Sequence, residues 1–366
     1  MFPPETSLSA EGHGGLRLAE IIRVPATRQG RTLCRVHVAA STLWTTADWR
    51  SEVEAWIDSV LAREGCHLTG PIEQPRLKPW STQLTVPTSA GRWWFKENAP
   101  ALRHEAAVVA ALAEVVPARV VPPIAVDPTR GWLLSADQGP TLMEAGNSGP
   151  EAWHRIVTEF AQLQRRVSET GPVLANAGIP RLIPADLPDW ALARTDELAS
   201  LPPSDPRAMT AAEAHEVAAA AAHGRQDAAL LAAAPIPLSI EHNDLHSNNA
   251  FVPVDGAALR FFDFGDAVWG HPFCTLLIPQ RTVEGDFGPI ERSYLQVWSD
   301  LAPVSELRPV LRAALRLAHL HRAHSWTQVL STAPAAQLGE LARALAEWLL
   351  LWARVIAENR AVAADS

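Results

Sequence analysis

Between residues 47 and 63 the apolar positions Trp49, Val53, Trp56, Ile57, Val60 and Leu61 recur every three or four residues, the period of a helix with one buried face. Thr45 and Asp48 resemble a capping box and Gly65 a stop, so an amphipathic helix is predicted over Ala47–Arg63. Upstream, partial alternation over Leu16–Val24 and Thr32–Val38 around Arg28-Gln29-Gly30 predicts a hairpin. Downstream, the period shortens to two. The runs Ile72–Leu77, Gln83–Val86 and Arg92–Glu97 read as strands of a small antiparallel sheet, with Pro87–Gly91 as the loop joining the last two. A helix follows over Ala101–Val115, then an extended run over Gly131–Ala136 that ends in Asp137-Gln138-Gly139-Pro140.

Beyond that loop helical periods dominate: Pro150–Val167, Ala211–Ala233 behind the capping box of Thr210 and Glu213, Val304–Val329, and Ala336–Ala357. Ile179–Pro188 and Leu201–Pro206 read as irregular connections. The pattern therefore divides the chain into an N-terminal extension (1–70), a sheet-bearing lobe (71–137) and a mostly helical lobe (138–366), an α+β organisation with the extension packed on the small lobe.

One island inside the helical part breaks the pattern. It runs His242-Asn243-Asp244-Leu245-His246-Ser247-Asn248-Asn249, then two short apolar runs around Asp255-Gly256, then Asp263-Phe264-Gly265-Asp266. Asp-Gly between such runs predicts a two-residue hairpin turn. Folding that hairpin brings Asn249, which enters the first strand, beside Asp263, which leaves the second. With Asp244 in the preceding loop, two carboxylates and a carboxamide converge, a set of hard oxygen donors suited to Mg²⁺. Asp and Asn are also common turn formers, so it is the joint spacing, and no single residue, that carries this reading. A His242/His246 zinc pair is disfavoured, because the segment between them is not helical and no third soft ligand stands nearby; His246 reads instead as a residue that holds the loop.

Composition narrows the class. A chain of 366 residues with 48% hydrophobic content can bury a sizeable core, which excludes disorder. Its net charge of −9 offers no basic field for nucleic acid or an anionic membrane surface. Three scattered cysteines, Cys34, Cys66 and Cys274, form no CxxC pair and suit a reducing compartment, and no apolar run is long enough to span a bilayer, so a cytoplasmic protein is expected. Only two lysines occur, Lys78 and Lys96, against 29 arginines. Lys96 lies in an apolar strand, and Glu105 shares the stripe of Leu102, Val109 and Leu112 on the following helix. A carboxylate on that face needs a cation, and Lys96 is its expected partner; the plainer alternative is a surface lysine and a helix-edge glutamate.

Asp244 with Asn249 five residues on, and Asp263-Phe264-Gly265 after a hairpin, resemble the catalytic and metal-binding loops of protein-kinase-like folds. More closely, His242-x-Asp244-Leu245-His246-x-x-Asn249 is similar to the H-G-D-L-H-x-x-N signature of the aminoglycoside phosphotransferase and choline kinase group. The resemblance covers roughly Ile72 to the end of the chain and implies a two-lobed kinase-like fold that transfers the γ-phosphoryl group of Mg-ATP, or of Mg-GTP, to a hydroxyl of a small molecule: an aminoglycoside, an amino alcohol or a sugar. On the same resemblance Asp244 is the base, Asn249 and Asp263 hold Mg²⁺, and Lys96, positioned by Glu105, binds the α and β phosphates. Ser135, Ala136 and Asp137 form the lobe connection that meets the nucleotide base, and His242 and His246 support the loop.

The chain departs from the family pattern at several points. The segment expected over the phosphates, Arg76-Leu77-Lys78-Pro79-Trp80-Ser81-Thr82, contains no glycine, so Ser81, Thr82, Lys78 or backbone amides are expected to make the contacts. Asn243 replaces a common glycine, and Thr275 stands where many members have an aspartate after the Gly-x-Pro turn, here Gly270-His271-Pro272. The absence of an Ala-Pro-Glu segment disfavours the alternative of a protein or peptide kinase. A second alternative is a non-catalytic, nucleotide-binding regulatory module. Trp49, Trp56, Trp348 and Trp352, at helical spacing, are read as core, and His319, His321 and His324, beside Arg316 and Arg322, as a solvated helix face in preference to the alternative that they touch substrate.

Overall fold

The apolar stripe of the first amphipathic helix finds its partner on a sheet. The computed structural model describes residues 40–252, 256–331 and 335–364; the hairpin predicted over 16–38 lies outside them. Helix α1 (Ala47–Glu64) is capped by Thr46, whose side chain accepts from Trp49 N at 3.3 Å, so the cap is one residue later than the predicted Thr45. It ends at Gly65, whose left-handed φ of 67° lets the chain turn away. Strands β1 (Glu73–Leu77), β2 (Ser81–Thr88) and β3 (Gly91–Asn98) follow, with a tight turn at Ser89-Ala90 in place of the longer loop expected. The predicted helix over 101–115 divides into a helical turn at Pro100–Leu102 and α2 (Glu105–Val115). Strands β4 (Pro123–Asp127) and β5 (Trp132–Ala136) complete an antiparallel sheet of order β1-β2-β3-β5-β4. β4 has little alternation of its own and was not predicted; it is fixed by pairing with β5.

Because successive residues of a strand face opposite ways, this sheet has two chemistries. Leu84, Val86, Trp93, Phe95, Trp132 and Leu134 pack against Trp49, Val53, Ile57, Val60 and Leu61 of α1. Each such fully buried side chain contributes about 1.5–3 kcal/mol. Glu97 lies among them, accepting from Trp49 Nε1 at 2.8 Å and Trp132 Nε1 at 2.7 Å; burial pushes its carboxyl above the usual range despite the indole donors. The alternate residues of the same strands face the cleft.

The second lobe is helical. Helices α3 (Pro150–Ser168), α4 (Leu187–Ala199) and α5 (Ala211–Ala233, with the predicted Thr210–Glu213 box) precede two small β ladders: β6 (Ser239–Glu241) with β9 (Val268–Gly270), and β7 (Ala250–Phe251) with β8 (Arg260–Phe261). Ala250 opposes Phe261 and Phe251 opposes Arg260. The described ladder is shorter than the predicted hairpin, and Asp255 of the predicted turn lies outside the described residues. Helices α6 (Gly288–Gln296), α7 (Val304–Leu330) and α8 (Ala344–Ala364) complete the lobe, with α5, α7 and α8 packed on one another. Helix α8 starts eight residues later than predicted, and α4 and α6 were missed because short proline-flanked helices carry little periodic signal. His319 and His321 are buried, at 4% and 0% exposure, which corrects their reading as a solvated face. Among the described residues no helix is long and apolar enough to cross a membrane.

Candidate active site

Lys96 stands on the cleft side of β3, between the apolar Phe95 and the buried Glu97 on the other face. Its ammonium lies 2.6 Å from Glu105 Oε2 of α2 and 2.6 Å from Asp263 Oδ1. Burial acts to lower the Lys96 pKa, but the two carboxylates outweigh it and the group is held charged. The Asp263 carboxyl is pushed up by burial and brought below its ordinary value by Lys96 and, further off, Arg76. Asp263 adopts φ of 64°, a left-handed conformation in which the turn Phe264–Asp266 can start immediately after it. A Cβ at Gly265 would lie 3.1 Å from Asn98 Nδ2, tight against an amide that also holds Glu105 Oε2 at 2.5 Å. These residues open onto a cavity of about 530 Å³ lined by β3, β5 and the 135–141 connection from one lobe and by Phe251, Phe262 and Asp263 from the other. Phe251 and Phe262 stack with ring centroids 4.3 Å apart.

The second half of the site is the loop that leaves β6. His242 Nε2 hydrogen-bonds Phe262 O at 3.0 Å, and its ring packs against Phe160 and Phe264; burial holds it neutral. Asn243 has φ of 62°. That left-handed value explains why a glycine is common at this position, and asparagine is among the few other residues that tolerate it. Its side chain adds what glycine lacks: Nδ2 donates to His321 O at 3.0 Å and Ser325 Oγ at 2.8 Å, both on α7. Its backbone N–H donates to Glu241 Oε1 at 2.6 Å, while Glu241 Oε2 faces His321 Nδ1 at 3.1 Å. Arg322 Nη1 donates to Asn243 O at 2.7 Å and lies 3.6 Å from Asp244 Oδ1 and 3.5 Å from Asp266 Oδ2. A single turn of α7 therefore grips the loop by side chain and backbone. Thr275 is buried with its hydroxyl unpartnered, and the carboxylate that meets the loop backbone is that of Glu241.

Asp244 is pushed up by burial and brought well below the usual carboxylate range by Arg322 and His246, whose Nε2 lies 3.4 Å from Oδ2. Asp266 is pushed up to about 6 by burial, which Arg322 offsets in part and the charges of Asp244 and Asp263 reinforce. His246 Nδ1 accepts from Asn248 N at 3.1 Å and caps the turn Ser247–Asn249. Asn249 Nδ2 donates to Asp244 O at 2.9 Å, which leaves its carboxamide oxygen free of that bond, and Phe262 N–H donates to Asn249 O at 3.2 Å, placing Asp263 at the same end of the ladder. The donors this leaves, one carboxamide oxygen and one carboxylate, are hard ligands that fit Mg²⁺ completed by phosphate and water. Among the described residues no three His, Cys, Asp or Glu side chains form a metal cage.

The structure thus brings Lys96, Glu105 and Asp263 into one ion-paired group and ties Asp244, Asn249, His242 and His246 into one loop. Ser135, Ala136 and Asp137 line the cavity as the connection after β5. Ser81 and Thr82 do not line the cavity with them. Both are buried and absent from the cavity wall, and the Thr82 hydroxyl donates to Arg76 O at 3.0 Å and accepts from Gln74 Nε2 at 2.8 Å. The sequence pattern does not single out Arg322, Ser325 and Glu241 as loop-holding residues; the arginine- and histidine-rich stretch 316–324 is the available signal, and a solvated helix face has the same pattern.

No curated protein matches the sequence. Among solved structures the chain is similar to a macrolide 2'-phosphotransferase type I (14% identity, 80% of this chain and 98% of that one, TM-score 0.51). It is also similar to a choline/ethanolamine kinase family protein from Mesorhizobium loti (15%, 79% and 92%, 0.51) and to choline kinase from Cryptosporidium parvum (12%, 81% and 90%, 0.51). At these identities the likeness establishes the fold: α+β, two-lobed and kinase-like. The phosphotransferase enzyme family pattern matches residues 84–307, more than half of the chain, and on that match the protein belongs to the phosphotransferase enzyme family.

Proposed function

We propose that the protein transfers the γ-phosphoryl group of Mg-ATP to a hydroxyl of a small molecule. The observation that carries this reading is Lys96 Nζ at 2.6 Å from both Glu105 and Asp263, across the two lobes. That arrangement fixes a compact positive charge where phosphate oxygens can reach it and leaves Asp263 oriented for a cation. Asn249 and Asp263 are the residues that would hold Mg²⁺, which when bound neutralises charge on the phosphates. Asp244, kept ionised by Arg322, accepts the proton of the acceptor hydroxyl; its loop is held in place from behind by α7. In such a site catalysis is mainly positioning and charge stabilisation. A small acceptor is favoured because the structural relatives are named for macrolides, choline and ethanolamine.

Calorimetric titration of Mg-ATP and Mg-GTP, with and without Mg²⁺, into wild type and Asp263→Ala tests the nucleotide half of the reading. Magnesium-dependent binding lost in the variant is expected and leads to an acceptor screen of aminoglycosides, amino alcohols and sugars. Folded wild type that binds neither nucleotide overturns it, and tight binding with no transfer across the screen reassigns the protein as a nucleotide-binding module.

A further inference from the structure

The turn between β1 and β2 differs from a glycine-rich phosphate loop. It contains no glycine, Lys78 N–H donates to Ser81 O at 2.9 Å, and Trp80 O accepts from Ala99 N at 2.8 Å. Ser81 and Thr82 are buried away from the cavity, and Lys78 is exposed. Another cation, however, does reach the cleft.

Arg76 is directed there by an irregularity in β1. Glu73 opposes Thr85, but Arg76 opposes Gln83 and Leu77 opposes Thr82, so one extra residue is accommodated between Glu73 and Arg76. In a regular strand Gln74 and Arg76 would share a face. The bulge separates them: Gln74 reaches Trp44 O at 3.2 Å and Thr82 Oγ1 on the α1 side, and Arg76 joins the cavity wall. Re-aiming a side chain is what a β-bulge does. Across the sheet the register then runs Arg76, Gln83, Lys96, Leu133 in one row. Arg76 and Lys96 are two strands apart, about 10 Å between backbones; both line the cavity with Asp263, and both charges act to lower its carboxyl pKa.

The Arg76 guanidinium has no carboxylate within ion-pair distance among the described residues, and its Nε is buried without a hydrogen-bond partner. The other arginine of the cavity, Arg92, differs on both counts: its side chain is 60% exposed and it pairs with Asp137 at 3.5 Å. A guanidinium left without a partner beside Lys96 presents a planar fork of donors suited to phosphate oxygens. We infer that Arg76 is a phosphate-binding residue, holding the phosphates of a nucleoside di- or triphosphate opposite Lys96 in place of a glycine-rich loop. The inference rests on the proposed nucleotide site and adds a residue to it.

The test is calorimetric titration of Mg-ATP, Mg-ADP and adenosine into wild type, Arg76→Gln, Arg76→Lys and, as comparator, Arg92→Gln. Arg76→Gln should weaken Mg-ATP and Mg-ADP by about ten- to a hundredfold while adenosine binds as to wild type. Arg76→Lys, which keeps charge and loses the fork, should fall between, and it carries the comparison if the glutamine variant does not fold. Arg92→Gln should show a smaller loss than Arg76→Gln. Unchanged Mg-ATP affinity in Arg76→Gln, or an equal loss for adenosine, overturns the inference. Wild type that binds no nucleotide overturns the proposed function and this inference with it.

Discussion

Asn243 holds a left-handed backbone, φ 62°, that costs a residue with a side chain about 1–2 kcal/mol, and its amide meets His321 O and Ser325 Oγ on α7. Two substitutions separate these effects. Asn243→Gly removes the amide contacts and keeps the backbone comfortable; Asn243→Ala removes the same contacts and adds strain. The alanine variant should therefore be the less stable of the two by about 1 kcal/mol in urea denaturation, although alanine has the smaller unfolded-state entropy. Equal midpoints would remove the backbone from the account. At this scale Asp244, Asn249 and Asp263 were legible because each lies within a short run whose spacing is itself informative. Arg322 and Ser325 were not, because they reach Asn243 from 79 and 82 residues away, and a solvated arginine-rich helix has the same local pattern.

Helix packing sets the next test. Gly224 lies inside α5, where alanine is ordinarily the better helix former by about 1 kcal/mol. A Cβ at that position would lie 2.5 Å from Trp352 Cζ2 of α8, a buried ring with little room to move. Gly224→Ala should accordingly destabilise the fold by about 1–3 kcal/mol, against its propensity, as read by thermal or urea unfolding. A stabilised variant would show that the two helices separate at little cost. The elements themselves divide by how much of their cause is local. α1, β2, β3 and α5 carry their own periods and caps and were predicted within a few residues. β4, β6 and β9 exist through pairing with distant strands, and the bulge in β1 reverses a face that strict alternation assigns the other way.

For the whole molecule, buried histidines set the acid limit. Burial lowers His104, His319 and His324 from 6.5 to about 4 and His271 to about 3. The unfolded chain binds protons at these groups below pH 6.5 and the folded chain does not, so stability falls with falling pH from about 6.5 toward 4. Each group contributes up to about 1.4 kcal/mol per pH unit. Asp266, raised from 3.8 to about 6, and Glu97, also raised by burial, act in the opposite direction, but they are two groups against these four and His242, which burial also lowers. Urea midpoints should thus drop between pH 7 and pH 5, and a flat profile would mean that these imidazoles are hydrated in the folded state. At the same scale, Trp80 at the tip of the β1–β2 turn meets Trp326 of α7 edge to face, with centroids 6.5 Å apart. The helix that grips the loop leaving β6 is thereby also the far pillar of a bridge from the small lobe. Prising the two lobes apart must part those indoles as well as the Lys96–Asp263 ion pair, so an aromatic contact and an ionic one fasten the same cleft at two separate points.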